Sequence, residues 1–164
     1  MELQYPIINN KDQIIDYKDK ESAYKERAML RAVQVFVYNL KKELFVQKRS
    51  KRKLRYPNYF CTSVAGHVEP EESYRQAAVR ELQEELGIKK VKNLKFIVKE
   101  KTPVGGGVYA MTSFFIISTD EAINLQEEEV DSGNFYPIEK IKQLILKGKP
   151  FTPGFLYFFN KFYK

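Results

Sequence analysis

Cysteine is nearly absent from this 164-residue sequence: Cys61 stands alone. One thiol excludes an internal disulfide and fits a reducing compartment, the cytoplasm. Histidine is as scarce, and with His67 as the sole imidazole no three-histidine metal site can form. Apolar runs fall far short of the roughly 20 residues that a membrane-spanning helix needs. Residues 1–11 show no charged n-region followed by an apolar stretch, so no secretory signal is expected there. Repeats and low-complexity linkers are missing too. The 43% hydrophobic and 30% charged residues describe a soluble globular chain whose length supports one core and not two.

Acidic residues are the minority charge. Lys and Arg number 28 against 21 Asp and Glu, a net charge of +7. Such a surplus suits a nucleic acid, an anionic membrane or a small polyphosphate. Its densest stretch is Lys48-Arg49-Ser50-Lys51-Arg52-Lys53-Leu54-Arg55. That run reads as a solvated loop after a strand, or as a phosphate-steering loop in which Arg49 or Lys53 clamps a substrate oxygen.

The acids that are present are concentrated. Glu81, Glu84 and Glu85 fall just ahead of Gly87, with Arg80 beside them and Glu72 upstream. On a helix, at about 100° per residue, the three lie within a sector of roughly 100°. Their repulsion costs a few tenths of a kcal/mol per pair. A hard divalent cation among the oxygens relieves it, and magnesium suits because it takes carboxylates and shares itself with phosphates. A solvated acidic face is the alternative reading. The helix has its own signals. Ser73 followed by Gln76 is a capping-box pair, and Gly87 fits a left-handed stop. Ala78, Val79, Leu82 and Leu86 recur as a core-facing stripe. Ala77 falls on the acid face and is small enough to leave room for a ligand.

Elsewhere the pattern predicts a hairpin from Tyr5–Ile8 and Gln13–Tyr17 around Asn9-Asn10-Lys11-Asp12. Strands are expected at Ala32–Asn39 and Glu43–Lys48, with Tyr59–Ala65 extended into Gly66. Two more follow the acid helix, Leu94–Lys101 and Val108–Ser118, joined by the loop Pro103–Gly107. A short strand at Asn134–Tyr136 precedes an amphipathic helix, Ile138–Leu146, and an aromatic one, Pro153–Phe162. Phe155, Phe158, Phe159 and Phe162 read as a core stripe in preference to a substrate platform. Residues 1–28 form a hairpin extension, and 29–164 the main globular unit.

The spacing from Gly66 to Ile88 resembles the Nudix box. Gly66, Glu72, Arg80, Glu81, Leu82, Glu84, Glu85, Gly87 and Ile88 fill every fixed position. Chance would produce such a match at on the order of 10⁻¹⁰ to 10⁻⁹ per starting position. The resemblance implies an α/β fold, the Nudix α/β/α sandwich with a mixed central sheet. It implies hydrolysis of a diphosphate linkage in a nucleoside diphosphate derivative. Glu81, Glu84 and Glu85 would ligate magnesium or manganese, with the Gly66 carbonyl adding an oxygen. Glu72 would pair with Arg80 in a structural role. A general base is expected on a loop away from the box, and Glu127 and Glu129 are the preferred pair.

The flanks are similar to isopentenyl diphosphate isomerase, a relative on the same fold, in Leu30–Phe36, Ser63–His67 and Glu127–Val130. Ala65 stands where those isomerases carry a catalytic cysteine, and Leu30 and Gln34 stand where histidines are expected. Cys61, four residues earlier, lies roughly 13 Å away on an extended strand. The combination resembles a subgroup of bacterial Nudix hydrolases whose substrates are poorly defined. His67 reads either as a contact to metal or phosphate or as a plain loop residue. A non-catalytic nucleotide- or nucleic-acid-binding module is the third reading, although such modules usually lose box glutamates and this chain keeps all of them. The partner expected is a small diphosphate, with neither membrane nor nucleic acid. The N-terminal hairpin could pair with a second subunit as a homodimer.

Overall fold

The computed structural model describes residues 1–126, 128 and 130–164. At its centre is strand β3 (Leu30–Tyr38), whose β-branched and aromatic residues alternate between two buried faces. Val33, Val35 and Val37 face one core and Phe36 the other. Along one edge β3 runs parallel to β8 (Val108–Ser118), from Leu30–Ala110 to Tyr38–Ser118. Along the other it pairs antiparallel with β6 (Val64–His67). β7 (Lys95–Gly105) is antiparallel to β8, and β4 (Leu44–Arg49) lies between β5 (Phe60–Cys61) and β9 (Val130–Tyr136). The sheet is therefore mixed.

Helices cover both faces. Helix α2 (Tyr74–Leu86) buries Ala77, Ala78, Leu82 and Leu86 against the valine face. Helices α3 (Ile138–Leu146) and α4 (Pro153–Phe162) cover the other. There Phe158 stacks on Phe114 at 4.3 Å, and Phe155 and Phe159 are fully enclosed. Phe162 stays 42% exposed while stacking on Phe114, so the fourth ring caps that core from outside. This is the α/β/α sandwich. Among the described residues no helix is long and apolar enough to cross a membrane.

The hairpin β1 (Tyr5–Ile8) and β2 (Ile14–Lys18) continues the same sheet through Ile7 opposite Leu30. Its turn is fastened by Asp12, at φ 62°. Arg31 Nε and Lys99 Nζ each reach that carboxylate at 2.7 Å, and the Tyr74 hydroxyl donates to it at 2.9 Å.

Several details differ from the sequence pattern for identifiable reasons. Helix α1 (Lys20–Lys25) was not expected; it is a short helix of 6 residues capped by Asp19, which accepts from the Ser22 amide at 2.8 Å. Strand β9 begins at Val130 and not Asn134, because Gly133 leaves the space that the Phe45 ring fills across the pair. Pro103–Gly105 belong to β7, leaving Gly106-Gly107 as the tight turn. Ala77 keeps its place on the Glu81 side of α2 but is fully buried, leaving no open room for a ligand, since α2 settles deep against β3 and β6.

Candidate active site

The site is assembled where β6 hands the chain to α2. Both arms of the capping box are present: Ser73 Oγ accepts from the Gln76 amide at 3.1 Å, and Gln76 Oε1 accepts from the Ser73 amide at 2.8 Å. Gly87 ends the helix in the left-handed region at φ 66°. These two signals fix the register of α2, and with it the positions of the acids.

Glu81 projects against β6. A Cβ on Gly66 would lie 2.7 Å from Glu81 Cγ and nearer still to its carboxylate, so only glycine leaves the cradle this side chain occupies. The Glu81 side chain is 13% exposed. Burial, opposed by Arg80 and reinforced by Glu84, holds its carboxyl above the usual carboxylate range. Glu84 is more open, with 54% of its side chain exposed. Glu85 accepts from Gln47 Nε2 at 2.8 Å, so the buried amide of β4 orients it.

Arg80 ties these groups together. Its Nε and Nη2 grip Glu72 as a fork at 2.8 and 3.0 Å. Nη1 reaches Glu81 at 2.8 Å and Glu84 at 3.2 Å, and Nη2 also donates to the His67 carbonyl at 3.0 Å. Burial raises the Glu72 carboxyl, but the Arg80 bonds and the Glu69 amide outweigh it and leave the group below its ordinary value. One guanidinium thus fastens the Glu69–Ser73 loop, strand β6 and helix α2 to each other.

A family model described as the NUDIX domain matches residues 29–157. The chain belongs to the Nudix hydrolase family. An uncharacterized Nudix hydrolase of Nostoc is 30% identical over 159 residues, covering 96% of this chain and 94% of the relative. An isopentenyl-diphosphate Delta-isomerase of Photorhabdus laumondii is 32% identical over 130 residues, covering 76% and 74%. A crystal structure from Deinococcus radiodurans superposes with a TM-score of 0.83 at 20% identity, covering 98% of this chain and 99% of that one, and shows the shared fold.

Nudix enzymes generally use divalent metal ions. Among the described residues no three His, Cys, Asp or Glu side chains converge as a ready-made cage. Glu81 and Glu84 turn instead onto Arg80, the nearest positive charge. The donors themselves fit such an ion: carboxylates on successive turns of one helix, one of them desolvated in a glycine cradle.

Around this Nudix box, His67 sits at the end of β6 with its ring between Tyr5 and Tyr24, at centroid distances of 5.8 and 5.7 Å. Its Nε2 lies 2.8 Å from the Tyr24 hydroxyl. Burial, helped by Lys20 and Arg55, pushes its pKa down to about 3, so the ring is neutral and committed to tyrosine. Arg49 Nε donates to the Arg55 carbonyl at 3.1 Å. Lys53 is half-buried in the same loop, where its amide donates to the Ser50 carbonyl at 3.1 Å. Glu127 and Glu129 lie outside the described residues. Cys61 is buried, and desolvation pushes its thiol up to about 12.

Sequence reasoning missed Gln47. Its signal was present: a single amide closing the apolar run Leu44-Phe45-Val46, a buried polar group that must find a partner. Tyr24 carried no pattern of its own, and Arg55 was visible only as the last residue of the basic run, with nothing to separate it from Arg49 or Lys53.

Proposed function

We propose that this enzyme hydrolyses a diphosphate linkage in a nucleoside diphosphate derivative or a similar small diphosphate, using magnesium or manganese. The observation that carries the reading is the intact acid face: Glu81 in the Gly66 cradle, Glu84 and Glu85 on the next turn, and Arg80 locked to Glu72. Glu81, Glu84 and Glu85, with the Gly66 carbonyl, would hold the ion. When bound, that ion neutralises charge on the phosphates and acidifies the attacking water.

The remaining residues have separate tasks. Gln47 orients Glu85, and Glu72 holds Arg80 so that the loop stays against the helix. Arg49 and Lys53 supply positive charge toward the substrate. Glu127 or Glu129 takes the proton of the attacking water as its oxygen bonds to phosphorus and the bridging P–O bond breaks. The substrate is a small anion and not a nucleic acid, and the lone buried thiol suits a cytoplasmic setting.

Isomerase chemistry is the second reading, favoured by the identity to the Photorhabdus enzyme. Three observations weigh against it. Ala65 offers no nucleophile, Cys61 is buried and strongly protonated, and the one imidazole is paired with Tyr24. The test is phosphate or pyrophosphate release from a panel of nucleoside diphosphate derivatives and isopentenyl diphosphate, with magnesium and with EDTA. Magnesium-dependent release is expected, falling by orders of magnitude in Glu84→Gln with the thermal midpoint retained, since that side chain is mostly solvated. Allylic product from isopentenyl diphosphate without hydrolysis, or full activity in the variant, would overturn the reading.

A further inference from the structure

The loop after β4 holds a cation that none of the roles above uses. Arg55 is half-buried, its guanidinium lying over the Tyr24 ring at 4.1 Å from the centroid. Its hydrogen bonds are long and go to neutral acceptors, the carbonyls of Val104 at 3.4 Å and Gly105 at 3.3 Å. Among the described residues no carboxylate pairs with it. A guanidinium has five N–H donors in a rigid fork that matches two oxygens of an anion. Held on an aromatic face and bonded at long range to carbonyls, it is a partly desolvated charge with no carboxylate partner among the described residues.

Its surroundings join it to the acid face on two sides. Its own carbonyl is held by Arg49 at the end of β4, the strand whose Gln47 orients Glu85. Tyr24, beneath it, is bonded to His67, which directly follows Gly66. The third side is the β7–β8 turn. Gly105, at φ 97°, has no side chain, and Tyr56 packs into that gap; a Cβ there would lie 2.8 Å from Tyr56 Cζ. Loop, turn and helix α1 thus converge on one arginine.

We propose that Arg55 is a substrate-binding residue that takes the diphosphate on the side away from the carboxylates, exchanging the Val104 and Gly105 carbonyls for phosphate oxygens. This assignment rests on the diphosphate reading above. Tyr24 positions the fork, and the exchange frees the β7–β8 turn from the loop as substrate enters.

Inorganic pyrophosphate titrated by calorimetry in EDTA isolates this contact from the metal face. Wild type binds; Arg55→Gln weakens binding by about tenfold or more, the loss of a charge-assisted pair. Arg55→Lys falls between, because it keeps the charge and loses the fork. Glu84→Gln binds no more weakly than wild type in the same buffer, although it loses metal-dependent turnover. In turnover assays Arg55→Gln raises KM more than it lowers kcat. Equal pyrophosphate affinity in wild type and Arg55→Gln, or no binding by wild type, overturns the assignment. If the glutamine variant does not fold, unchanged affinity in Arg55→Lys overturns it equally. The hydrolase reading is judged separately, by the magnesium dependence of turnover and its loss in Glu84→Gln.

Discussion

Replacing Gly66 by alanine adds one methyl group and should disable the enzyme. The backbone at Gly66 is not left-handed, so alanine brings no conformational penalty of its own. The effect is steric and falls on Glu81. Its Cγ would stand 2.7 Å from the new Cβ, where ordinary contact begins at 3.4 Å, so that atom must retreat by at least 0.7 Å. The carboxylate, closer still, must swing by about 1 Å or more, a misplacement that can cost about 100-fold in rate. That swing also strains the 2.8 Å bond from Arg80 to Glu81. Overpacking of this kind costs about 1–3 kcal/mol, or about 3–9 °C in Tm for a chain of this length. The assay is kcat/KM for metal-dependent diphosphate cleavage, beside a thermal melt. A fall of about 100-fold with a folded protein is expected. Wild-type turnover in Gly66→Ala would refute the placement of Glu81 as a working carboxylate.

Arg80→Ala should cost stability as well as activity, because it strands Glu72 and Glu81 together; with the arginine one-fifth exposed, a loss of about 2–3 kcal/mol is expected in urea unfolding. A stability unchanged within error would remove Arg80 from its structural role. Asp12 makes a prediction in pH. Burial raises its carboxyl, but Lys99, Arg31 and Tyr74 outweigh that and hold it below its ordinary value. The stability it contributes is therefore present above the unfolded pKa of about 3.9 and lost as pH falls through the lower folded value. Asp12→Asn should cost about 1–2 kcal/mol at neutral pH, with the gap to wild type closing toward about pH 2. A gap constant across that range would contradict the assignment.

The parts legible in the sequence were those written in local chemistry. The capping box at Ser73, the left-handed stop at Gly87 and the phenylalanine spacing in α4 each specify their own conformation, and α3, α4 and β8 have the bounds the pattern predicted. Strand β9 was only half visible, because Asp131-Ser132-Gly133 looks like a turn until Phe45 is seen filling the glycine's space. The room expected beside Ala77 is missing for a similar reason: the depth to which a helix settles depends on the sheet beneath it and not on its own periodicity. In the site, the order of residues fixed which acids share a face. It could not show that Gly66 is a cradle, that Gln47 reaches Glu85, or that Arg55 lies on Tyr24. Those contacts join residues between 15 and 38 positions apart, some of them across strands whose pairing no local signal announces.

The parallel pair of β3 and β8 joins Leu30 to Ala110, eighty residues later. During synthesis, at about 5–20 residues per second, that interval lasts about 4–16 seconds. Throughout it β3 presents at least one unpaired edge, the template on which strands of other chains add. Every residue of the box has been translated by then, because the box ends at Ile88. A nascent chain stalled before Val108 would carry the whole acid helix and still lack both β8, the parallel neighbour of β3, and β9, the neighbour of β4. Such fragments should be substrates for chaperones and proteases and not partial enzymes, and the pace of translation between Leu86 and Ser118 becomes a determinant of yield.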